Sequence, residues 1–279
     1  MTKLFIGMPV YNGERFIAVA LESLCRQNYK DWKLLISDNC SSDATESICK
    51  GFARKDSRIS YVRQPENLGG TANFKFLLEQ ADSEYFMWAS ADDVWDPDFL
   101  NICIGNLEKN GHFGMSFSGI INIDSYGRVV RECPTLPSLS GNAGYKTIYR
   151  YLKDPEIMGK ANLIYSVYRL EICREAMAVC PLEDFWGSDM CFVLAALTRG
   201  GILIDQRVLF KKRLVREDDD EQALVKPINV AKPRRGIFPR EEFPSYLRGN
   251  LNAVRGTQFF FLTYVVMMLR KFVASMRVW

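Results

Sequence analysis

Two adjacent carboxylates, Asp92 and Asp93, follow a largely hydrophobic run, Tyr85–Ala91 (YFMWASA). Neighbouring acids repel unless a positive group sits with them. A divalent metal carrying a phosphorylated ligand would supply that charge. A solvated turn before a helix start, with Asp96 as N-cap and Pro97 at the first helical position, explains the same residues without any ligand. Two more polar loops carry groups of similar use. Tyr11–Glu14 offers an aromatic ring and an acid, and Asp38–Ser42 offers a further acid.

The elements that must position these loops alternate in type. Lys3–Val10, Trp32–Ile36, Ile59–Arg63 and the run from Tyr85 read as strands, and the unbroken apolar character of the last is that of a strand covered on both faces. Arg15–Gln27 sets apolar residues at 16, 17, 20, 21 and 24, an amphipathic helical spacing. Asp43-Ala-Thr-Glu46 opens a second helix, to about Lys55, in the manner of a capping box. A break at Asn67–Gly70 precedes a third, over 71–80. Such alternation predicts an α/β fold with a mostly parallel sheet between helices. Ligands in such sheets bind beyond the carboxyl ends of the strands. The three loops therefore gather at one edge, and a ring, an acid and an acid pair share one mouth. Neither G-x-G-x-x-G nor G-x-x-x-x-G-K-[ST] follows the first strand, which argues against dinucleotide and P-loop chemistry. A ligand with a base to stack, a ribose to hydrogen-bond and a diphosphate to neutralise through a metal fits better; that is a sugar nucleotide.

The motifs PVYNGE (Pro9–Glu14), ISDNCSSDAT (Ile36–Thr45), RQPENLGG (Arg63–Gly70) and the strand into ADD (Ala91–Asp93) resemble those of the family 2 glycosyltransferases of GT-A fold, in order, over residues 3–125. The resemblance implies an inverting transferase that moves a sugar from a UDP-, dTDP- or GDP-linked donor to a hydroxyl of a surface glycan, lipid-linked or free. It implies a base pocket lined by Pro9 and Tyr11, Asp38 on the base edge, and Glu14 and Asn67 near the nucleotide. Asp92 would approach ribose or sugar, and Asp93 would ligate Mn²⁺ or Mg²⁺ on the diphosphate. Asp189 matches the family's general base at a helix start, ahead of Glu183 and Asp184, although Ser188 or Asp189 as N-cap explains the position equally. Many relatives carry a metal-site histidine after the last strand. Here that region holds Lys211, Lys212, Arg213 and Arg216, so either the metal has fewer protein ligands, or one of these cations (Lys211 and Arg213 foremost) offsets diphosphate charge, or no metal is needed. A sugar-nucleotide nucleotidyltransferase would show a Gly-rich basic loop after the first strand, which PVYNGE is not. A nucleotide- or membrane-binding subunit without turnover is the non-enzymatic alternative.

Farther along, Asp96–Asn110 and 170–179 read as helices, and Met115–Ile123, Leu163–Tyr168, Gly201–Gln206 and Val208–Lys212 as strands. Asp124–Gly127 reads as a hairpin turn, and Cys133–Gly144 as an irregular loop. Trp186 offers either a stacking surface for an acceptor sugar or plain packing. The acidic run Glu217–Glu221 reads as a solvated loop. The domain reading is a catalytic unit over 1–215, with a nucleotide-sugar half (1–125) and an acceptor half (126–215). A basic linker and a C-terminal amphipathic, apolar helix follow over 216–279. The apolar stretch Phe259–Leu269 is too short to span a bilayer, which takes about 20 residues. Arg270, Lys271, Arg277 and Trp279 suit an interfacial helix, and packing on the catalytic unit or a homodimer contact suits it equally.

With 279 residues, 48% hydrophobic and 25% charged, the chain can bury a large core, and a net charge of +3 does not suggest a nucleic-acid partner. Eight cysteines without a C-x-x-C pair, and a start at Met1 leading straight into a strand, predict a cytoplasmic protein, peripheral at the inner face of the plasma membrane if the tail is interfacial. His112, the single histidine, is placed in a surface turn.

Overall fold

The computed structural model describes residues 2–133, 136–154, 159–214 and 242–276, with side chains to Phe272. Arg216, the acidic run Glu217–Glu221, the basic stretch from Lys226 to Arg240, and Arg277 and Trp279 lie outside the described residues. The strands are β1 (Leu4–Val10), β2 (Trp32–Asp38), β3 (Ile59–Arg63), β4 (Tyr85–Trp88), β5 (Val94–Trp95), β6 (Met115–Ile123), β7 (Val129–Glu132), β8 (Val167–Arg169) and β9 (Ile202–Arg213). The helices are α1 (Ile17–Cys25), α2 (Thr45–Lys55), α3 (Gly70–Glu79), α4 (Phe99–Lys109), α5 (Tyr145–Lys153), α6 (Leu170–Val179), α7 (Ser188–Gly200), α8 (Phe243–Ala253) and α9 (Phe260–Met276).

One sheet runs in the order β3-β2-β1-β4-β8-β6-β9-β5, with β7 added against β6. Its first half, β3-β2-β1-β4, is parallel, as strand–helix alternation demands. The short β8 runs antiparallel to both β4 and β6, after which β9 lies parallel to β6. The carboxyl ends of β1, β2, β3, β4, β6 and β9 therefore all face one edge. Val10 pairs with Asp38 and Asp38 with Arg63 across that edge.

Packing sets this edge firmly. Gly7 is required at the middle of β1, since a Cβ there would lie 2.9 Å from Leu77 Cβ of α3. Trp88, at the end of β4, is fully buried among Phe86, Phe74 and Phe192, with ring centroids 4.7, 5.6 and 5.4 Å away. Fully burying one such large apolar side chain stabilises by about 1.5–3 kcal/mol. Phe192 belongs to α7, whose residues Met190–Leu197 are all buried, so this helix runs through the core rather than over it.

Several local readings change. The helix after the acid pair begins at Phe99, with Asp98 as its N-cap residue, and Asp96 instead accepts the Asp98 N–H. Residues 160–165 form a 3-10 turn before β8, because the Ser166 and Tyr168 hydroxyls both close onto the Leu163 carbonyl, at 2.7 and 2.8 Å. The two strands expected over 201–212 are one bulged strand, β9. Helices α5 and α8 were masked in sequence by glycine- and proline-rich surroundings.

Candidate active site

The first two loops are knitted to each other by side chain–backbone bonds. Asn12 adopts a left-handed conformation (φ 49°) that lets its amide oxygen accept the Ser42 N–H at 2.9 Å while its own N–H donates to Ser41 Oγ at 2.9 Å. The Gly13 N–H donates to Thr45 Oγ1 (2.8 Å), and the Ala44 N–H to Glu14 Oε2 (2.8 Å). Glu14 thus satisfies the open N-terminus of α2. Asp38 is wholly buried beneath this loop. It accepts the Ser41 N–H at 2.8 Å, the Tyr61 hydroxyl at 2.6 Å and Arg63 Nη1 at 3.2 Å. Asn39 joins the third loop, donating to Asn67 Oδ1 at 2.6 Å and accepting the Leu68 N–H at 2.9 Å.

These bonds hold the stretch from Pro9 to Phe16 as one wall of a cleft of about 370 Å³, whose opposite wall is Ser90, Ala91 and Asp92. Pro9, Tyr11 and Asp92 line it, and the Tyr11 ring is 52% exposed. Glu14, Asp38 and Asn67 are not among its lining residues; their polar atoms bond the loops to one another.

The acid pair is divided between cleft and core. Asp92 lines the cleft and accepts a hydrogen bond from the Ser90 hydroxyl. Asp93 is fully buried, with Lys212 Nζ at 3.0 Å on Oδ2 and the Arg213 N–H at 2.8 Å on Oδ1. Both of its oxygens are occupied, so it does not face the cleft as expected of a metal ligand. Burial, offset by Lys212, pushes the Asp93 carboxyl up to about 6. Burial also pulls on the Lys212 ammonium, but Tyr165, Asp93 and Asp92 around it hold it above its ordinary value. The pair is therefore charged at neutral pH, and Asp93 is the member that neutralises on acidification.

Arg213 is spent on the same loop. Its guanidinium donates to the Asp92 carbonyl at 2.9 Å and the Asp124 carbonyl at 2.8 Å, and lies 4.5 Å from the Phe16 ring centroid. Lys211, on the face of β9 away from Lys212, lines a groove with Arg213, Arg15, Phe16 and Tyr126. Sequence reasoning named Lys212 among the cations that could offset the diphosphate but set Lys211 and Arg213 ahead of it, and gave no role to Ser90 or Tyr165; Lys212, Ser90 and Tyr165 form the inner side of the site. Tyr165 is half-buried and presents its ring 5.2 Å from Lys212 Nζ.

Asp189 sits in the first turn of α7. Gly187 caps this helix at φ 84°, where a Cβ would also strike the Tyr246 ring at 2.8 Å. The Ser188 hydroxyl accepts the Glu183 N–H at 2.7 Å, which fixes the loop before the helix, and Asp189 Oδ1 accepts the Met190 N–H at 2.8 Å. Burial raises the Asp189 carboxyl above its ordinary range. Phe192, one turn on, packs against Trp88, four residues before Asp92. Asp189 is not among the residues that line the cleft. Trp186 packs edge-on against Tyr246, with ring centroids 5.0 Å apart. Among the described residues no group of three His, Cys, Asp or Glu side chains converges.

The profile of Glycosyl transferase family 2 matches residues 5–165, more than half of the chain. The chain belongs to this family. The glycosyltransferase-named protein EpsE of Bacillus subtilis (strain 168) is 33% identical over 138 residues, 49% of either chain. The GalNAc(5)-diNAcBac-PP-undecaprenol beta-1,3-glucosyltransferase of Campylobacter jejuni is 29% identical over 133 residues, 43% of either chain. Matches of this kind span about half the length of the curated relatives. The crystal structure of S. aureus TarS 1-349 in complex with UDP-GlcNAc superposes with a TM-score of 0.70 at 15% identity, covering 97% of this chain and 73% of that one. The fold is that of the GT-A glycosyltransferases.

Proposed function

We propose that this glycosyltransferase family 2 chain transfers a sugar from a nucleoside-diphosphate donor, with inversion, to a hydroxyl of a surface-glycan acceptor carried on a lipid diphosphate, in the cytoplasm. The observation that carries the reading is the cleft itself, with an exposed aromatic ring, Tyr11, on one wall and a single carboxylate, Asp92, on the other. Tyr11 and Pro9 would hold the base, and Asp92 the diphosphate end. The Campylobacter relative is named for an undecaprenol-diphosphate acceptor, and the S. aureus fold neighbour for UDP-GlcNAc. Both names support a donor and an acceptor of these classes.

A bound Mn²⁺ or Mg²⁺ would neutralise charge on the leaving diphosphate. The donor set suits it, because Mg²⁺-type ions take one or two carboxylates plus substrate phosphates rather than a full protein cage. Asp92 would hold it, with Ser90 orienting the Asp92 carboxylate. Lys212, 3.9 Å from Asp92 and 3.0 Å from Asp93, offsets the negative charge of the acid loop. Asp189 would take the proton from the attacking hydroxyl, and its burial makes it a stronger base than a solvated carboxylate. Inversion would require the acceptor hydroxyl, with Asp189 beside it, to attack the anomeric carbon from the side opposite the diphosphate.

A thermal-shift panel of UDP-, dTDP- and GDP-sugars, each with and without Mn²⁺, tests the reading. One nucleotide class should raise the melting temperature, and more so with Mn²⁺. No shift from any of the three would overturn it.

A further inference from the structure

The C-terminal helix α9 has two unlike faces. Phe259 just before it, and Thr263, Val266 and Met267 within it, are buried against the body of the protein, and the Arg270 guanidinium reaches back to the Leu152 carbonyl at 2.9 Å. The opposite face carries Phe261, Tyr264, Met268, Leu269 and Phe272, spaced at successive helical turns. Phe261 is 77% exposed, Phe272 59% and Leu269 57%. A row of large apolar groups this contiguous is not ordinary surface. Among the described residues no helix is long and apolar enough to cross a membrane.

Beside this face lies a groove of about 390 Å³ between α8 and α9, floored by Leu247, Leu251 and Phe260 and edged by Arg248, Arg255 and Asn252. Neither arginine side chain has a hydrogen-bonding or ion-pairing partner among the described residues. Over residues 242–276 the basic side chains are Arg248, Arg255, Arg270 and Lys271, and the one acid is Glu242. The adjoining α5 adds exposed Tyr149, Lys146 and Lys153 and contains no acid. Apolar groups flanked by Arg248 and Arg255, further cations and exposed tyrosines complement one kind of partner: an anionic lipid surface, with acyl chains below and phosphates at the level of the arginines.

We infer that the outer face of α9, with the Arg248–Arg255 groove, is a docking surface for an anionic phospholipid bilayer, on which the protein lies without spanning it. The inference holds independently of the transfer chemistry. Packing and interfacial binding, alternatives at the level of sequence, are the two faces of the same helix.

Co-sedimentation of the full chain with vesicles of phosphatidylglycerol or of phosphatidylcholine tests it. The wild-type protein should bind phosphatidylglycerol vesicles, release with rising salt, and bind phosphatidylcholine weakly. Arg248→Gln with Arg255→Gln should weaken binding about 25-fold, near fivefold per arginine. Phe261→Ser with Phe272→Ser should abolish it. Both changes lie on the surface, so unchanged melting temperatures are expected of each. Equal binding to the two lipids, or partitioning untouched by either pair, would overturn the inference. So would a wild-type dimer in lipid-free sedimentation that Phe261→Ser with Phe272→Ser dissociates, since the face would then belong to a second copy.

Discussion

Lys212 Nζ lies 3.0 Å from the buried carboxylate of Asp93 and 3.9 Å from that of Asp92, so one ammonium at the end of β9 serves both acids of the loop after β4. The two elements are 119 residues apart in the chain, and this contact, with the Arg213 N–H on the other Asp93 oxygen, ties them. Removing one member of a buried pair leaves an uncompensated charge and costs about 3–5 kcal/mol, whereas removing both costs far less. Lys212→Met alone should therefore destabilise by that amount in urea unfolding. Lys212→Met combined with Asp93→Asn should recover a large part of it. Additive losses in the two single variants and the double would show that the pair carries no coupling.

The two acids should separate by phenotype. Asp92→Asn leaves the ion pair intact, so its melting temperature should stay at wild type while Mn²⁺-dependent nucleotide binding is lost. Asp93→Asn should lower the melting temperature and reduce transfer through disorder of the loop. Calorimetric titration of nucleoside diphosphate with and without Mn²⁺ reads this directly. Metal-dependent binding that survives Asp92→Asn and fails only in Asp93→Asn would return the ligand role to Asp93.

Asp38 offers a sharper contrast between scaffold and contact. Its two oxygens receive the Ser41 N–H, Tyr61 hydroxyl and Arg63 guanidinium, and Tyr61, with burial as the first cause and Asp38 the second, is held above its ordinary pKa. Tyr61→Phe should cost about 0.5–1.5 kcal/mol, and Asp38→Ala more, since it strands buried donors. Both should raise the donor KM while leaving kcat within a few-fold. A change of preference among uracil, thymine and guanine nucleotides in Asp38→Asn, with Tyr61→Phe silent, would instead mark Asp38 as the group that reads the base.

Much of this was legible in the sequence, and the failures share a cause. Strands β1 to β4 and β6 and helices α1 to α4 followed from apolar period and turn residues, because each is a local unit with its own signals. The gathering of Tyr11, Asp38 and Asp92 at one sheet edge followed from their alternation. Which atoms of that edge face a ligand did not follow. Asp92 and Asp93 are chemically alike and lie in a turn, where the two-residue alternation of a strand no longer tells inside from outside. Lys212 was recoverable in principle. Along β9 the side chains alternate, so Lys211 and Arg213 share one face and Lys212 takes the other. Deciding which face meets the acids needed the pairing of β9 with β6 and β5, a contact between distant segments. Helix α5 stayed hidden because its apolar stripe is short and follows a loop rich in serine and glycine.

Asp189 yields a prediction in which activity and stability move in opposite directions. Burial raises its carboxyl above the ordinary value of about 3.9. As a base it acts only when ionised, so kcat should fall on the acid side as a single proton is taken up, with a midpoint above the solvated carboxylate range. Stability follows the reverse course. Between the unfolded and folded pKa values the native state holds more protons than the unfolded chain, so stability contributed by this group declines as pH rises through that window. Above it, the cost of the buried charge is fully present. Asp189→Asn removes that charge and retains an oxygen for the Met190 N–H. At neutral pH it should therefore melt no lower than wild type, with any advantage vanishing below the unfolded pKa. Transfer should drop by about 10²–10⁴-fold, the usual contribution of a general base, with donor affinity unchanged. Melting curves over pH, set beside single-turnover rates, separate this from a capping role, in which Asp189→Asn would destabilise at every pH and leave the residual rate with the wild-type acid limb.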